Sequence, residues 1–242
     1  MSNKIFQISE VELFDYLRCP VYYQALHKKR LPFKNMPSFN TLLNRVASSF
    51  YLNLMDGRIL PISTLKKKWD TICEQYMDII TPQKCLKGMG LLQKLYIWAE
   101  KEELRIADTN IPYVVSFNGK RSVVEVKGEI GTVGVMKSGL YELLITDFSP
   151  KYPDQAAIDF RLKYTLDAYA FQLLFQKQIG VHIHHVETNK DFYTFRGRDD
   201  FKRLASSIDN IAFSMQNKLY YPRENVLCPS CEMKDFCKLW TD

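Results

Sequence analysis

A chain of 242 residues, 46% hydrophobic and 25% charged, has the composition of an ordinary folded protein and the length of one large domain or two small ones. Ten glycines and ten prolines exclude a collagenous or low-complexity chain, and no uncharged run approaches the ~20 residues that span a bilayer, so no membrane partner is expected. The balance of 33 basic against 27 acidic residues, a net +6, admits a polyanionic partner without demanding one. The start, Met-Ser-Asn-Lys-Ile-Phe, carries no apolar signal core, which makes a cytoplasmic location, where stable disulfides are rare, the expectation.

The first part reads as helices. Ser9 and Glu12 form a capping-box pattern, with Val11, Phe14 and Leu17 following at helical spacing. Pro20 should break or restart that helix. Further helices are predicted from about Asn40 to Met55, from about Ser63 to just before Pro82, and from about Gln83 to Glu103. The period then shortens. Tyr113–Phe117 and Ser122–Val126 flank Asn118-Gly119, a strong hairpin signal. Strands are expected at Ile130–Val135 and Leu140–Phe148, then a long helix from Gln155 to Gln178 stopped by Gly180. Strands at Val181–Val186 and Phe192–Phe195 and a helix from Asp199 to Leu219 complete the pattern. A strand after a crossover helix should lie parallel to the one before it if both join one sheet. The expected organisation is one α/β domain over 1–242: a mainly helical part (1–105), an α/β core (106–219) and a cysteine-rich tail (220–242).

Three of six cysteines fall in that tail, as Cys228-Pro-Ser-Cys231 and then Cys237. A C-x-x-C places two thiolates on one turn, able to share a metal. Three ligands leave such a site one short, and Cys19, between a helix and a proline, is the best fourth. Zinc and an iron–sulfur cluster both accept four thiolates, so the spacing leaves the metal open. Cys73 and Cys85 lie in helical patterns and read as small buried hydrophobes in the reduced state.

The stretch Leu17-Arg18-Cys19-Pro20-Val21-Tyr22-Tyr23 and the tail Tyr220-Tyr221-Pro222-Arg223 with its three cysteines resemble the two ends of the iron–sulfur RecB/AddB-type nucleases. That group, which includes the CRISPR-associated RecB-like exonucleases, belongs to the PD-(D/E)XK superfamily. The resemblance implies a PD-(D/E)XK nuclease core, a mixed sheet flanked by helices. It implies a 4Fe-4S cluster on Cys19, Cys228, Cys231 and Cys237 that closes the tail on the chain's start.

The same resemblance implies a damaged active site. The family's metal-binding histidine falls on Asn44, the acid of its Gly-x-x-Asp on Gly131 of Gly128-Glu129-Ile130-Gly131, and its Asp-x-Lys on Asp147-Phe148-Ser149. Its glutamine four residues before a tyrosine falls on Thr165, before Tyr169. Of these polar positions only Asp147 remains. Two carboxylates on neighbouring strands would hold Mg²⁺ and a lysine would stabilise transition-state charge, and Gly131 and Ser149 supply neither. Glu129, two residues from Gly131 on one strand face, is a possible substitute acid, and Lys151 or Lys163 a substitute amine. Asp147 also reads simply as a strand-end residue bonding local backbone.

Lys66 and Lys67 before Trp69, and Arg196 and Arg198 with Lys202 and Arg203, could follow phosphates, although such runs are also ordinary solvated faces. Basic charge beside aromatic rings suits single-stranded DNA. His182 and His184 share a strand face, a half-exposed face rather than a metal pair because no third ligand is visible. The function expected is a catalytically degenerate nuclease-fold protein that binds nucleic acid or docks on a protein of a DNA-processing complex. The alternatives are an active Mg²⁺-dependent DNA exonuclease with relocated residues and a purely structural subunit.

Overall fold

Ser9 ends a short strand, β1 (Ile5–Ser9), and caps the helix after it, α1 (Glu10–Arg18). Its hydroxyl accepts the Glu12 N–H while the Glu12 carboxylate accepts the Ser9 N–H, so two orphan donors of the first turn are satisfied. These are among residues 5–29, 37–119, 121–136 and 138–237, which a computed structural model describes. Cys19 is extended and Pro20 restarts the helix as α2 (Pro20–Tyr23), continued by a π-helical turn, Gln24–Lys28. Next come α3 (Phe39–Met55), capped by Ser38, then α4 (Ile62–Gln75), and α5 (Pro82–Lys101), capped by Thr81 with proline at its first position.

The remaining elements are β2 (Arg105–Asn118), β3 (Val123–Val135), β4 (Tyr141–Asp147), α6 (Gln155–Asp159), α7 (Leu162–Phe175), β5 (Ile179–His185), β6 (Lys190–Phe195) and α8 (Arg198–Gln216). Single 3-10 turns at Cys228–Ser230 and Lys234–Phe236 shape the tail. Hydrogen bonds link the strands in the order β1-β3-β4-β5-β6, with β2 also paired to β3, a six-stranded mixed sheet. β4 and β5 are parallel, as the crossover through α6 and α7 requires, and β5 and β6 antiparallel.

Several expected boundaries move. β2 and β3 are longer than the hairpin signal suggested, and the strand expected at Ile130–Val135 is the second half of β3. Polar Asp108–Asn110 and the glycines at 128, 131 and 134 mask the strand pattern there. The single long helix is two, separated at Phe160–Arg161. It stops at Gln176, which takes the left-handed conformation (φ 54°), and not at Gly180. Gly180 lies within β5, where an added Cβ would stand 3.1 Å from the Phe195 ring.

The chain forms two compact units. One takes the described parts of Met1–Asn35, Pro112–Glu129 and Gly197–Asp242; the other takes Met36–Ile111 and Ile130–Arg196. In the first, β1 runs parallel to Val123–Lys127 of β3. In the second, an apolar core joins α3, α4 and α5 (Leu42, Val46, Trp69, Leu92, Leu95) to Leu144 of β4 and Val186 just after β5. Trp69 is fully buried and donates its indole N–H to the Cys85 carbonyl at 2.8 Å. Cys73 and Cys85 are not the free hydrophobes expected: they form a disulfide between α4 and α5, with Cα atoms 6.0 Å apart. The helical hairpin makes each the other's neighbour, which spacing along one helix does not reveal.

Candidate functional site

Asp147 is the last residue of β4. Its Oδ1 accepts the Ser149 backbone N–H at 2.8 Å, and the Ser149 hydroxyl donates to the Lys151 carbonyl at 3.0 Å. The carboxylate therefore closes a local turn, the plainer of the two roles the sequence allowed. Beside it in the sheet stands His185, buried, with Nε2 on the Ser149 carbonyl (2.9 Å) and Nδ1 on Thr188 Oγ1 (2.7 Å). Burial pushes the Tyr164 hydroxyl pKa up, Arg161 opposes this, and the negative charges of Asp147 and Asp167 add to the rise.

The other positions bring little acid–base chemistry to this strand end. Asn44 is exposed on α3, and Gly131 is exposed on β3 with open space where a Cβ would stand. Thr165 is fully buried, its hydroxyl donating to the Arg161 carbonyl of its own helix. Lys163 places its amine on Asp167 Oδ1 at 2.6 Å. Glu129 is exposed and belongs to the first unit, where its N–H donates to Glu10 Oε2 at 3.4 Å. Gly128 permits that approach, since an added Cβ would come within 2.4 Å of both Glu10 and Tyr113. One carboxylate completed by waters binds Mg²⁺ weakly.

The cysteine frame lies wholly in the first unit. None of Cys19, Cys228, Cys231 and Cys237 is in a disulfide. Cys19 and Cys231 pack against one small cluster, Tyr22, Ala25 and Met233. The tail folds back on the end of α1: the Arg223 guanidinium donates to the Leu17 carbonyl at 2.7 Å and the Asn225 amide to the Arg18 carbonyl. The Arg223 N–H points at Cys19 Sγ (3.5 Å) and the Asn225 N–H at Cys228 Sγ (3.3 Å). In kind, four thiols with backbone donors aimed at sulfur fit an iron–sulfur group. Among the described residues no three His, Cys, Asp or Glu side chains converge on the position of a single metal ion.

The basic residues divide. Lys66 and Lys67 are exposed on α4, on the turn that buries Leu65 and Trp69. Arg196 is committed to the fold, donating to the Ile158 carbonyl at 2.8 Å and to Thr194 Oγ1 at 2.7 Å. Arg198 is exposed at the first turn of α8, where Lys202 and Arg203 pair with Asp199 and Asp200.

His182 and His184 are buried, contrary to the half-exposed face expected. His182 donates to Glu142 Oε1 (3.0 Å) and Asp191 Oδ1 (2.8 Å), and His184 Nδ1 donates to the same Asp191 oxygen (2.9 Å). Burial alone would lower the His182 pKa; the two carboxylates outweigh it and hold it at about 9. The sheet register puts Glu142, His182, His184 and Asp191 on one face and Asp147 and His185 on the other. Glu142 and Asp191 were missed. The only signal for them was a polar residue in strands otherwise rich in apolar ones.

No protein-family model matches the sequence, and no curated protein matches it. Two solved structures are among those similar to it in shape. One, from Eubacterium rectale and described as a "Putative exonuclease", has a TM-score of 0.50 at 10% identity, over 93% of this chain and 86% of that one. The chain shares that structure's mixed α/β fold. The other, the crystal structure of SSO0001, has a TM-score of 0.39 at 13% identity, over 96% and 95% of the two chains. Among the described residues no helix is long and apolar enough to cross a membrane.

Proposed function

We propose that this chain is a nuclease-fold protein that does not cleave and acts by binding nucleic acid, single-stranded DNA foremost, with docking on a protein of a DNA-processing assembly as the related role. One observation carries the reading. Asp147, the surviving acid, is bonded to the Ser149 backbone, and glycine and serine stand where a second acid and an amine are needed. Exposed Lys66, Lys67 and Arg198 supply positive charge for phosphates. Four cysteines, Cys19, Cys228, Cys231 and Cys237, would hold a 4Fe-4S cluster whose work is to join the chain's start to its tail.

The test pairs cleavage with binding. With Mg²⁺ or Mn²⁺, the wild type and Asp147→Ala should leave single- and double-stranded DNA equally intact. Single-stranded DNA should bind with an affinity that falls steeply with salt, by a log–log slope of about −0.7 per phosphate neutralised. Lys66→Ala and Lys67→Ala should flatten that slope. Cleavage by the wild type, abolished in Asp147→Ala, would overturn the reading in favour of an exonuclease that uses Glu129 and a displaced lysine. Absence of binding at low salt would favour a subunit that never touches nucleic acid.

A further inference from the structure

The segment after β4, within the second unit, is pinned at three points. Asp147 Oδ1 accepts the Ser149 backbone N–H at 2.8 Å, the Ser149 hydroxyl donates to the Lys151 carbonyl at 3.0 Å, and His185 Nε2 donates to the Ser149 carbonyl at 2.9 Å. His185 is fully buried in β5, so the sheet itself fixes that anchor. A loop held in this way presents its next two side chains in one place. They are Lys151 and Tyr152, and both are exposed.

Tyr152 is 49% exposed, yet its ring is held. Its centroid lies 5.2 Å from Phe192 and 5.9 Å from His185, both in edge-to-face geometry, and Lys190 Nζ stands 5.3 Å from it. The strand register explains the grouping. Asp147, His185 and Lys190 form one row across β4, β5 and β6, and Phe192 lies two residues along β6 on the same face. An open aromatic ring thus has one exposed lysine beside it in the chain and another over it. The next carboxylates along the chain are engaged locally: Asp154 accepts the Ala156 N–H and Asp159 accepts from the Gln155 amide.

We propose that Tyr152 is a stacking platform for one base of a single-stranded nucleic acid, that Lys151 and Lys190 take the flanking phosphates, and that Asp147 is the positioning residue of this platform. The inference rests on the nucleic-acid reading above and gives it a place on the molecule. Every base has a π-face, so an exposed ring with basic neighbours binds single strands with little sequence preference. In a duplex those faces are stacked on each other and closed to an outside ring. The Asp147 carboxylate then works through an oxygen that accepts a backbone N–H, a task that needs an acceptor but no negative charge.

Fluorescence anisotropy of the full chain with labelled oligothymidine at low salt tests it. Tyr152→Ala should weaken binding by about tenfold and Tyr152→Phe should restore it. An abasic strand of the same length should bind the wild type more weakly than oligothymidine does, and Tyr152→Ala should remove that difference. The emission of Tyr152→Trp should be quenched by oligothymidine and not by the abasic strand. Lys190→Ala should flatten the log–log salt slope by about 0.7. Asp147→Asn keeps the acceptor and should bind at least as tightly as the wild type, whereas Asp147→Ala should weaken binding. Tyr152 is exposed, so its variants keep the test open if Asp147→Ala misfolds by circular dichroism. Wild-type binding that Tyr152→Ala and Lys190→Ala leave unchanged would overturn this inference alone, as would equal affinity for an oligoglutamate peptide. Asp147→Asn as weak as Asp147→Ala would overturn the positioning role. Failure of the wild type to bind any single strand would overturn the nucleic-acid reading itself, and this inference with it.

Discussion

His182 lies between Glu142 on one neighbouring strand and Asp191 on the other, and its charge holds both carboxylates. Folding raises its pKa from 6.5 to about 9, so the native state binds this proton more tightly than the unfolded chain does. The stabilisation is full below about pH 6.5 and is lost as pH climbs through 9, at most roughly 3 kcal/mol. Denaturant midpoints of the wild type and His182→Asn should therefore differ most near pH 6 and converge towards pH 10. A gap that widens with pH would show the imidazole neutral in the native state. Asp147, on the opposite face, accepts the Ser149 backbone N–H. Losing one metal-holding acid removes several kcal/mol of transition-state stabilisation, and every ~1.4 kcal/mol is tenfold in rate. Gly131→Asp with Ser149→Lys tests whether the strand geometry around Asp147 still supports catalysis; open space at the Gly131 Cβ position makes the first change sterically free. Mg²⁺-dependent cleavage by that double variant alone is the expected result if the two losses suffice to explain an inert site.

The α4–α5 hairpin is the element whose stability the sequence understated. Trp69 fills its centre against Gly88, where a Cβ would come within 2.1 Å of the indole ring. Across the same hairpin the Cys73–Cys85 bond closes a loop with a sequence separation of 12. Chain-entropy arguments give such a loop about 3 kcal/mol of stabilisation. Cys73→Ser should lower the denaturant midpoint under non-reducing conditions, and dithiothreitol should then have little further effect through this pair. Equal midpoints for wild type and variant without reductant would mean that the bond does not contribute. Gly88→Ala should be more damaging than its small size suggests, because the ring it would strike is buried on all sides.

For the molecule as a whole, the decisive contact is the return of the tail to the end of α1. Arg223 and Asn225 bond the Leu17 and Arg18 carbonyls there. If the four cysteines hold a 4Fe-4S cluster, anaerobically purified protein should contain about four irons per chain. Cys19→Ser should then lose iron and unfold at lower denaturant, because that ligand closes almost the entire chain into one loop and metal binding is coupled to folding. Iron retained in Cys19→Ser would remove this residue from the ligand set. Zinc in place of iron, in protein never exposed to air, would end the iron–sulfur assignment.

Local signals were legible in the sequence because their physics is local. The Ser9–Glu12 capping box, the restart at Pro20, the Asn118-Gly119 hairpin and the parallel β4–β5 pair each depend on a few neighbouring residues or on a chirality rule. Side-chain partners were not legible. Whether Arg196 meets phosphate or the Ile158 carbonyl depends on where α6 ends beside β6. Whether Cys73 is a hydrophobe or half of a disulfide depends on the angle of a helical hairpin. His182 read as half-exposed because Glu142 and Asp191 lie 40 and 9 residues away. Only the register of three strands brings those carboxylates to one imidazole, and a one-residue slip would place them on the other face.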